Sequence, residues 1–374
     1  MIFTPALHGL RGLAALLVLF YHWDGSFPAF GDMLNQLPVV GKFYFYIIEL
    51  GWVGVDWFFV LSGFLLTASL WSKSINFKSV INFTIRRVFR IYPGVWLHLF
   101  LLLIALYILG FNIEFGPEKI FKNLILWVAP MPFGALPINT VFWSLPLEMG
   151  FYLTLPLWVW LAKKFGALQV VLLCFFITLG WRFGIVYLIG EGYNGINFYY
   201  LRHSLPGILF VFIAGFLLNY FINNSQIFQK SKITNQNLKL AILIGLLMIY
   251  AIWLYVLAWR RVAYPNTDWL MVIWELVLAV IIASIILMLM KPIPGFGWMG
   301  SPILIGLGSI SFGIYLWHFP IFRLLHRLYP GVFVTPVGSL VALAIGIVIT
   351  FFLAWLSYVT VERPAMKWVS NRLI

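Results

Sequence analysis

Leu7-His8-Gly9-Leu10-Arg11-Gly12-Leu13-Ala14-Ala15-Leu16-Leu17-Val18-Leu19-Phe20-Tyr21-His22 decides how the chain is read. The stretch is apolar enough to enter a bilayer, yet it carries His8, Arg11 and His22. At about 100° per residue, the spacing from Arg11 to His22 returns to nearly the same helix face. At about 1.5 Å per residue it separates them by roughly 16 Å along the axis. The face Arg11–Ala15–Val18–His22 then sets a cation near one membrane surface and a titratable imidazole near the other. Ala15 and Val18 are small and leave room for a long, thin ligand. A charge in lipid costs at least ~2.5 kcal/mol, so this face should look onto protein or a cavity. The plainer alternative is Arg11 as a head-group anchor and His22 as a core histidine; their shared register argues against it.

Composition points the same way. The chain has 374 residues, 63% hydrophobic and 9% charged, against about 25% charged in soluble domains. It reads as an all-α, polytopic integral membrane bundle in one domain, 1–374. The net charge of +13 fits the positive-inside rule and anionic-lipid contact rather than nucleic acid. A single cysteine, Cys174, excludes an intramolecular disulfide and a Cys-based metal site. No cleavable signal peptide is expected, because Arg11 lies inside the first apolar segment and no small-residue cleavage pattern follows.

Ten apolar runs are long enough to span, near 7–23, 47–71, 94–111, 141–162, 167–189, 204–222, 238–259, 269–290, 304–326 and 335–361. Residues 74–92 alternate apolar side chains with Lys78, Arg86, Arg87 and Arg90, the pattern of a surface-lying basic stretch, with Pro93 opening the next helix. Segment 120–134 is short and Pro-rich, as expected of an interfacial or re-entrant piece. Placing the N-terminus inside puts 15 of the 24 Lys and Arg on the cytoplasmic side, so both termini are expected there. The polar stretch 223–237 is then a cytoplasmic linker. No internal repeat stands out.

Sorting polar residues by depth divides them. The outer half collects His22, Asp56, Glu148, Glu275 and His318; the inner end collects His8, Arg11, Arg86, Arg87, Arg90 and the neighbours Glu362 and Arg363. Arginines suit a phosphorylated ligand because the guanidinium fork matches phosphate oxygens. Imidazole with carboxylates suits proton transfer. The same set also suits a proton-coupled transporter using His22, Asp56 and Glu148 as a relay. No Gly-rich phosphate loop or Cys/His ligand spacing is present, and His22 with Asp24 is too thin a set for a metal. Ser62, in Ser62-Gly63, reads as helix packing rather than as a nucleophile. Glu362 and Arg363 read as a pair fixing the last helix.

Six stretches in order then resemble the membrane acyltransferase-3 family. They are Leu10-Arg11-Gly12-Leu13-Ala14-Ala15 with His22, Gly54-Val55-Asp56-Trp57-Phe58-Phe59-Val60-Leu61-Ser62-Gly63-Phe64-Leu65, and Arg87-Val88-Phe89-Arg90-Ile91-Tyr92-Pro93. Trp143-Ser144-Leu145-Pro146-Leu147-Glu148, Ser311-Phe312-Gly313-Ile314-Tyr315-Leu316-Trp317-His318-Phe319-Pro320 and Glu362-Arg363-Pro364 follow. The resemblance implies O-acyl transfer, with acetyl as the default acyl group, from cytoplasmic acyl-coenzyme A to a hydroxyl of a saccharide or lipid-linked glycan at the extracytoplasmic side of the bacterial cytoplasmic membrane. It implies Arg11, Arg86, Arg87 and Arg90 as donor-phosphate ligands. His22 is implied as general base or transient acyl acceptor, with Asp56 or Glu148 orienting it; His318, Tyr315, Ser62 and Glu275 are further candidates. Relatives with a C-terminal hydrolase-like domain are common. None is present in these 374 residues, so transfer is expected to finish in the membrane or to pass to a separate protein.

Overall fold

The computed structural model describes residues 5–111, 115–189, 196–224, 236–261, 269–290 and 293–373. These residues form helices, with one isolated bridge between Val128 and Ala135 and no strand. The helices are α1 (Pro5–Ser26), α2 (Ala29–Asn35), α3 (Val40–Tyr44), α4 (Gly54–Trp71), α5 (Phe77–Ile108), α6 (Pro117–Leu124), α7 (Leu145–Phe165), α8 (Ala167–Phe183), α9 (Ile196–Arg202) and α10 (Leu205–Asn224). They continue with α11 (Gln236–Arg261), α12 (Leu270–Leu289), α13 (Pro302–Leu328), α14 (Pro336–Ser357) and α15 (Arg363–Arg372). Among the described residues, eight helical stretches are long and apolar enough to cross a membrane, and a ninth is α13, bent by 70° between Pro302–Ser309 and Ser311–Leu328. The bend falls where Gly308 and Ser309 loosen the helix, and the Ser311 hydroxyl donates to the Gly308 carbonyl at 2.8 Å. α1 falls outside that set; its own polar residues lower its hydropathy, but it is an unbroken helix of 22 residues. With it, each of the ten apolar runs has its helix, and the protein is an integral membrane bundle.

Two expectations need correction. Pro93 does not open a helix: it lies inside α5, which runs 32 residues through the basic stretch and the span together. A proline removes one backbone donor and crowds the preceding turn, and α5 absorbs this without ending. Glu362 is not set against Arg363. Neighbours on a helix face apart; Glu362 is buried and Arg363 exposed, and Glu362 meets Arg90 on α5 instead. The linker expected at 223–237 lies largely outside the described residues.

The chain divides into two compact units. The first holds Met1–Arg11, Val55–Val80 and Gly150–Gly306. Here α10 packs on α8 and α12, and α11 on α12. Lipid tails are as apolar as Leu, so apolar burial alone does not drive helices together; close backbone approach and buried polar contacts do. Gly63 and Gly215 show the first: a Cβ on Gly63 would come within 1.9 Å of the Phe212 carbonyl oxygen, and one on Gly215 within 2.0 Å of that of Val60. Ser62-Gly63 is therefore part of a tight α4–α10 seam. On α11, Ile244, Met248, Ile249, Ile252 and Tyr255 stay exposed, the stripe expected against lipid.

The second unit holds Gly12–Gly54, Ile81–Met149 and Leu307–Ile374. Its core includes Leu19, Trp23, Phe142, Ile314, Leu316, Phe322 and Ala354, each nearly or fully buried. The Trp23 indole donates to the Ser339 carbonyl at 2.8 Å, and the Ser339 hydroxyl donates to the Phe27 carbonyl at 2.6 Å. These two bonds fix the C-terminal end of α1 to the start of α14.

Candidate active site

Within the second unit, α1 and α13 bring His22 and His318 together. His22 Nδ1 lies 3.0 Å from the Val18 carbonyl and 3.1 Å from His318 Nε2. His318 Nδ1 lies 2.9 Å from the Ile314 carbonyl. A carbonyl oxygen only accepts, so each Nδ1 carries its ring proton. His318 Nε2 then keeps its lone pair and accepts from His22 Nδ1–H. By the same logic His22 Nε2 keeps a lone pair, which makes it the basic atom of the pair. His318 is fully buried and His22 half-buried. Phe319 and Tyr21 stand edge-on to the His22 ring at 5.0 and 4.9 Å, which limits its rotation.

The wall behind His318 is built from residues that carry no motif on their own. Asn139 donates to the Leu316 carbonyl at 2.8 Å and to His98 Nε2 at 3.0 Å, and its side-chain oxygen caps the short 3-10 turn Thr140–Ser144. His98 packs against the Trp317 ring at 4.4 Å. The Tyr315 hydroxyl donates to the Val141 carbonyl at 2.8 Å and meets the Ser144 hydroxyl at 2.7 Å. Glu148 is near enough to act electrostatically on Tyr315. Tyr315, Ser144 and Glu148 are thus gathered on the His318 side of the pair. Sequence reasoning passed over His98 and Asn139. An ionisable residue within an apolar span was the available signal for His98; Asn139 carried none.

The arginines lie in the same unit. Arg90 pairs with Glu362 at 3.5 Å, touches Met366 Sδ and lies over the Phe312 ring. Glu362 also accepts from the Ser357 hydroxyl at 3.0 Å across the π-helical turn Tyr358–Glu362. Arg86 donates through Nε to the Asn82 carbonyl, and Arg87 stands beside the Phe83 ring. All three are half-buried.

The remaining candidates lie in the first unit. Arg11 is half-buried on α1. Ser62 is in the α4–α10 seam. Asp56 is buried on α4 with Arg182 as its charged neighbour. Glu275 pairs with Arg182, and His203 Nε2 stands 2.7 Å from its other oxygen. Arg182 also donates to the carbonyls of Met271, Val272 and Gly207. Asp56, Arg182, His203 and Glu275 thus form one buried charge cluster. Among the described residues no group of three or more His, Cys, Asp and Glu is arranged to hold a metal.

A sequence profile described as an acyltransferase domain matches residues 4–359. The chain is 25% identical to the O-acetyltransferase OatA of Staphylococcus aureus over 394 aligned residues, 98% of this chain and 57% of that protein. A putative O-acetyltransferase of the same species is 24% identical across 98% of this chain and 58% of its own length. Acyltransferase MdmB of Streptomyces mycarofaciens is 37% identical over 169 residues, covering 43% of this chain and 40% of MdmB. The chain therefore spans a little over half the length of the full-coverage relatives. No solved structure matches it.

Proposed function

Because the chain belongs to the acyltransferase-3 family, we propose that it is a membrane O-acetyltransferase. It moves acetyl from cytoplasmic acetyl-coenzyme A to a saccharide hydroxyl presented from the opposite face. The observation that carries this reading is the His22–His318 pair, which leaves His22 Nε2 free to accept a proton. Nε2 takes the proton of the acceptor hydroxyl as that oxygen attacks the thioester carbonyl. The C–S bond then breaks, and the departing sulfur recovers the proton from His22. His318 Nε2 and the Val18 carbonyl hold His22 Nδ1–H and steady the imidazolium formed in between, the part a carboxylate plays in Ser-His-Asp triads.

The other residues take separate roles. Arg86 and Arg87 bind donor phosphates. Arg90 does so under the restraint of Glu362, and Arg11 is given the same role from its place in the sequence. Three guanidinium groups within five residues suit a ligand with several phosphates. Glu148 and Tyr315 position α13 and hence His318. Asp56 and Glu275, tied to Arg182, are positioning residues rather than proton carriers. A proton-coupled carrier would use the same histidines, but the family assignment favours transfer.

Removing Arg90 would strand the buried Glu362 carboxylate, so the donor site is better tested at Arg86 and Arg87. Each change to Ala should weaken acetyl-coenzyme A binding by about 10–100-fold, since a hydrogen bond to a charged group is worth about 1.5–3 kcal/mol. Calorimetry on protein in lipid nanodiscs measures this; an unchanged Kd in both variants retires the donor site. Sidedness is tested in vesicles loaded with labelled acetyl-coenzyme A. Label should reach a glycoside supplied only on the other side, and labelling confined to the donor's side overturns the transmembrane direction.

A further inference from the structure

A cavity of about 210 Å³ opens at the end of the second unit to which both histidine-bearing helices run. It is lined by Ser26, Phe27, Pro28, Ala29 and Asp32 around the α1–α2 turn, and by His326, Tyr329, Pro330, Phe333 and Val334 around the end of α13. Ser26 is one helical turn beyond His22, and its hydroxyl donates to the His22 carbonyl at 2.7 Å. His326 is eight residues beyond His318 on α13. Going outward from the His22–His318 pair along either helix leads to this cavity, with the first wall roughly 6 Å from His22 along α1.

The walls combine one aromatic floor with a few polar groups. Phe27 is buried and stands edge-on to Phe333 at 5.6 Å, and the His326 ring lies 5.8 Å from it. Tyr329 meets Phe333 at 6.2 Å. The Phe27 carbonyl is held by Ser339, so the floor is fixed to α14. Among the described residues, no protein hydrogen bond engages the Asp32 carboxylate, the His326 ring nitrogens or the Tyr329 hydroxyl. The Ser26 hydroxyl proton is spent on His22, which leaves its oxygen as an acceptor.

We propose that this cavity is the acceptor subsite and that it holds a single pyranose ring of the glycan, one helical turn from the base. The proposal rests on the acyltransferase reading above. An aromatic floor suits the C–H face of a sugar ring, and a carboxylate with an imidazole and a phenol suits its hydroxyls. The volume is below the roughly 300–1,000 Å³ of drug-sized pockets; one ring fits and the rest of a glycan extends past the exposed rim. Of the lining residues only Asp32 is an acid, and its carboxylate suits a sugar hydroxyl better than a phosphate. A lipid chain would leave Asp32 and His326 without partners.

The test uses the full chain in lipid nanodiscs, free of sugar-headed detergent. Methyl glycosides of glucose, galactose and N-acetylglucosamine are the probes, read by saturation-transfer NMR and as acceptors with labelled acetyl-coenzyme A. The variants are Asp32→Asn and Tyr329→Ala, both at exposed positions. At least one glycoside should receive saturation from the wild type and from His22→Ala. Both variants should raise its acceptor KM, Asp32→Asn by about 10–100-fold, with kcat and the donor Kd unchanged. Transfer with an unaltered acceptor KM in both variants overturns the subsite and leaves the acyltransferase reading standing. Saturation lost in the variants, from a wild type that transfers no acetyl, supports the subsite and sinks the acyltransferase reading. A wild type that saturates no glycoside overturns the subsite.

Discussion

His22→Ala is expected to lower acyl transfer by about 10²–10⁴-fold, the usual contribution of a general base, or about 2.7–5.5 kcal/mol of barrier. His22 Nδ1 is committed to Val18 and His318, so the only basic atom the ring offers a substrate is Nε2. A sharper variant is His22→Asn. Its amide N–H can stand near the place of Nδ1–H and keep the bonds to Val18 and His318, while nothing replaces Nε2. It should be as inactive as His22→Ala, with acetyl-coenzyme A binding retained in both. Labelled acetyl transfer in nanodiscs, with donor binding measured on the same preparations, checks this. Activity above about a tenth of wild type in either variant ends the assignment of Nε2 as base.

The second large effect is on stability. Arg182 is fully buried, pairs with Glu275 and donates to three backbone carbonyls. Arg182→Met leaves a buried carboxylate without its cation, a change that typically costs about 3–5 kcal/mol. The thermal unfolding midpoint of the purified protein should fall markedly. Changing Arg182 and Glu275 together to Met should recover part of the loss, because a well-packed apolar pair often replaces a buried ion pair at little cost. A single variant that melts with the wild type would show that the pair carries no stability.

Much of the fold was legible in the chain. Runs of apolar residues long enough to cross a bilayer leave little choice of secondary structure, because unpaired backbone groups are too costly in lipid. The polar residues in those runs are equally legible as exceptions: Arg11, His22, Asp56, Glu148, Glu275 and His318 stand out because charge in lipid demands a reason. What the exceptions paired with was harder to read. The expectation that Asp56 or Glu148 orients His22 meets a different partner set: His22 Nδ1 faces the Val18 carbonyl and His318 Nε2. Glu362 was set beside its sequence neighbour, yet its partner is Arg90 on a distant helix. His98 and Asn139 were not singled out at all.

Helix length and hydropathy are local sums over neighbouring residues, so the sequence by itself determined the all-helical membrane class and the list of polar intruders. A partner is a non-local fact. It depends on which helices pack and on how each is rotated, and in lipid that is decided by small-residue seams such as Gly63 against Phe212 and by buried hydrogen bonds. Only the tertiary structure could put His22 on His318, Arg90 on Glu362 and Arg182 on Glu275, because each pair joins residues more than ninety positions apart that no periodicity relates.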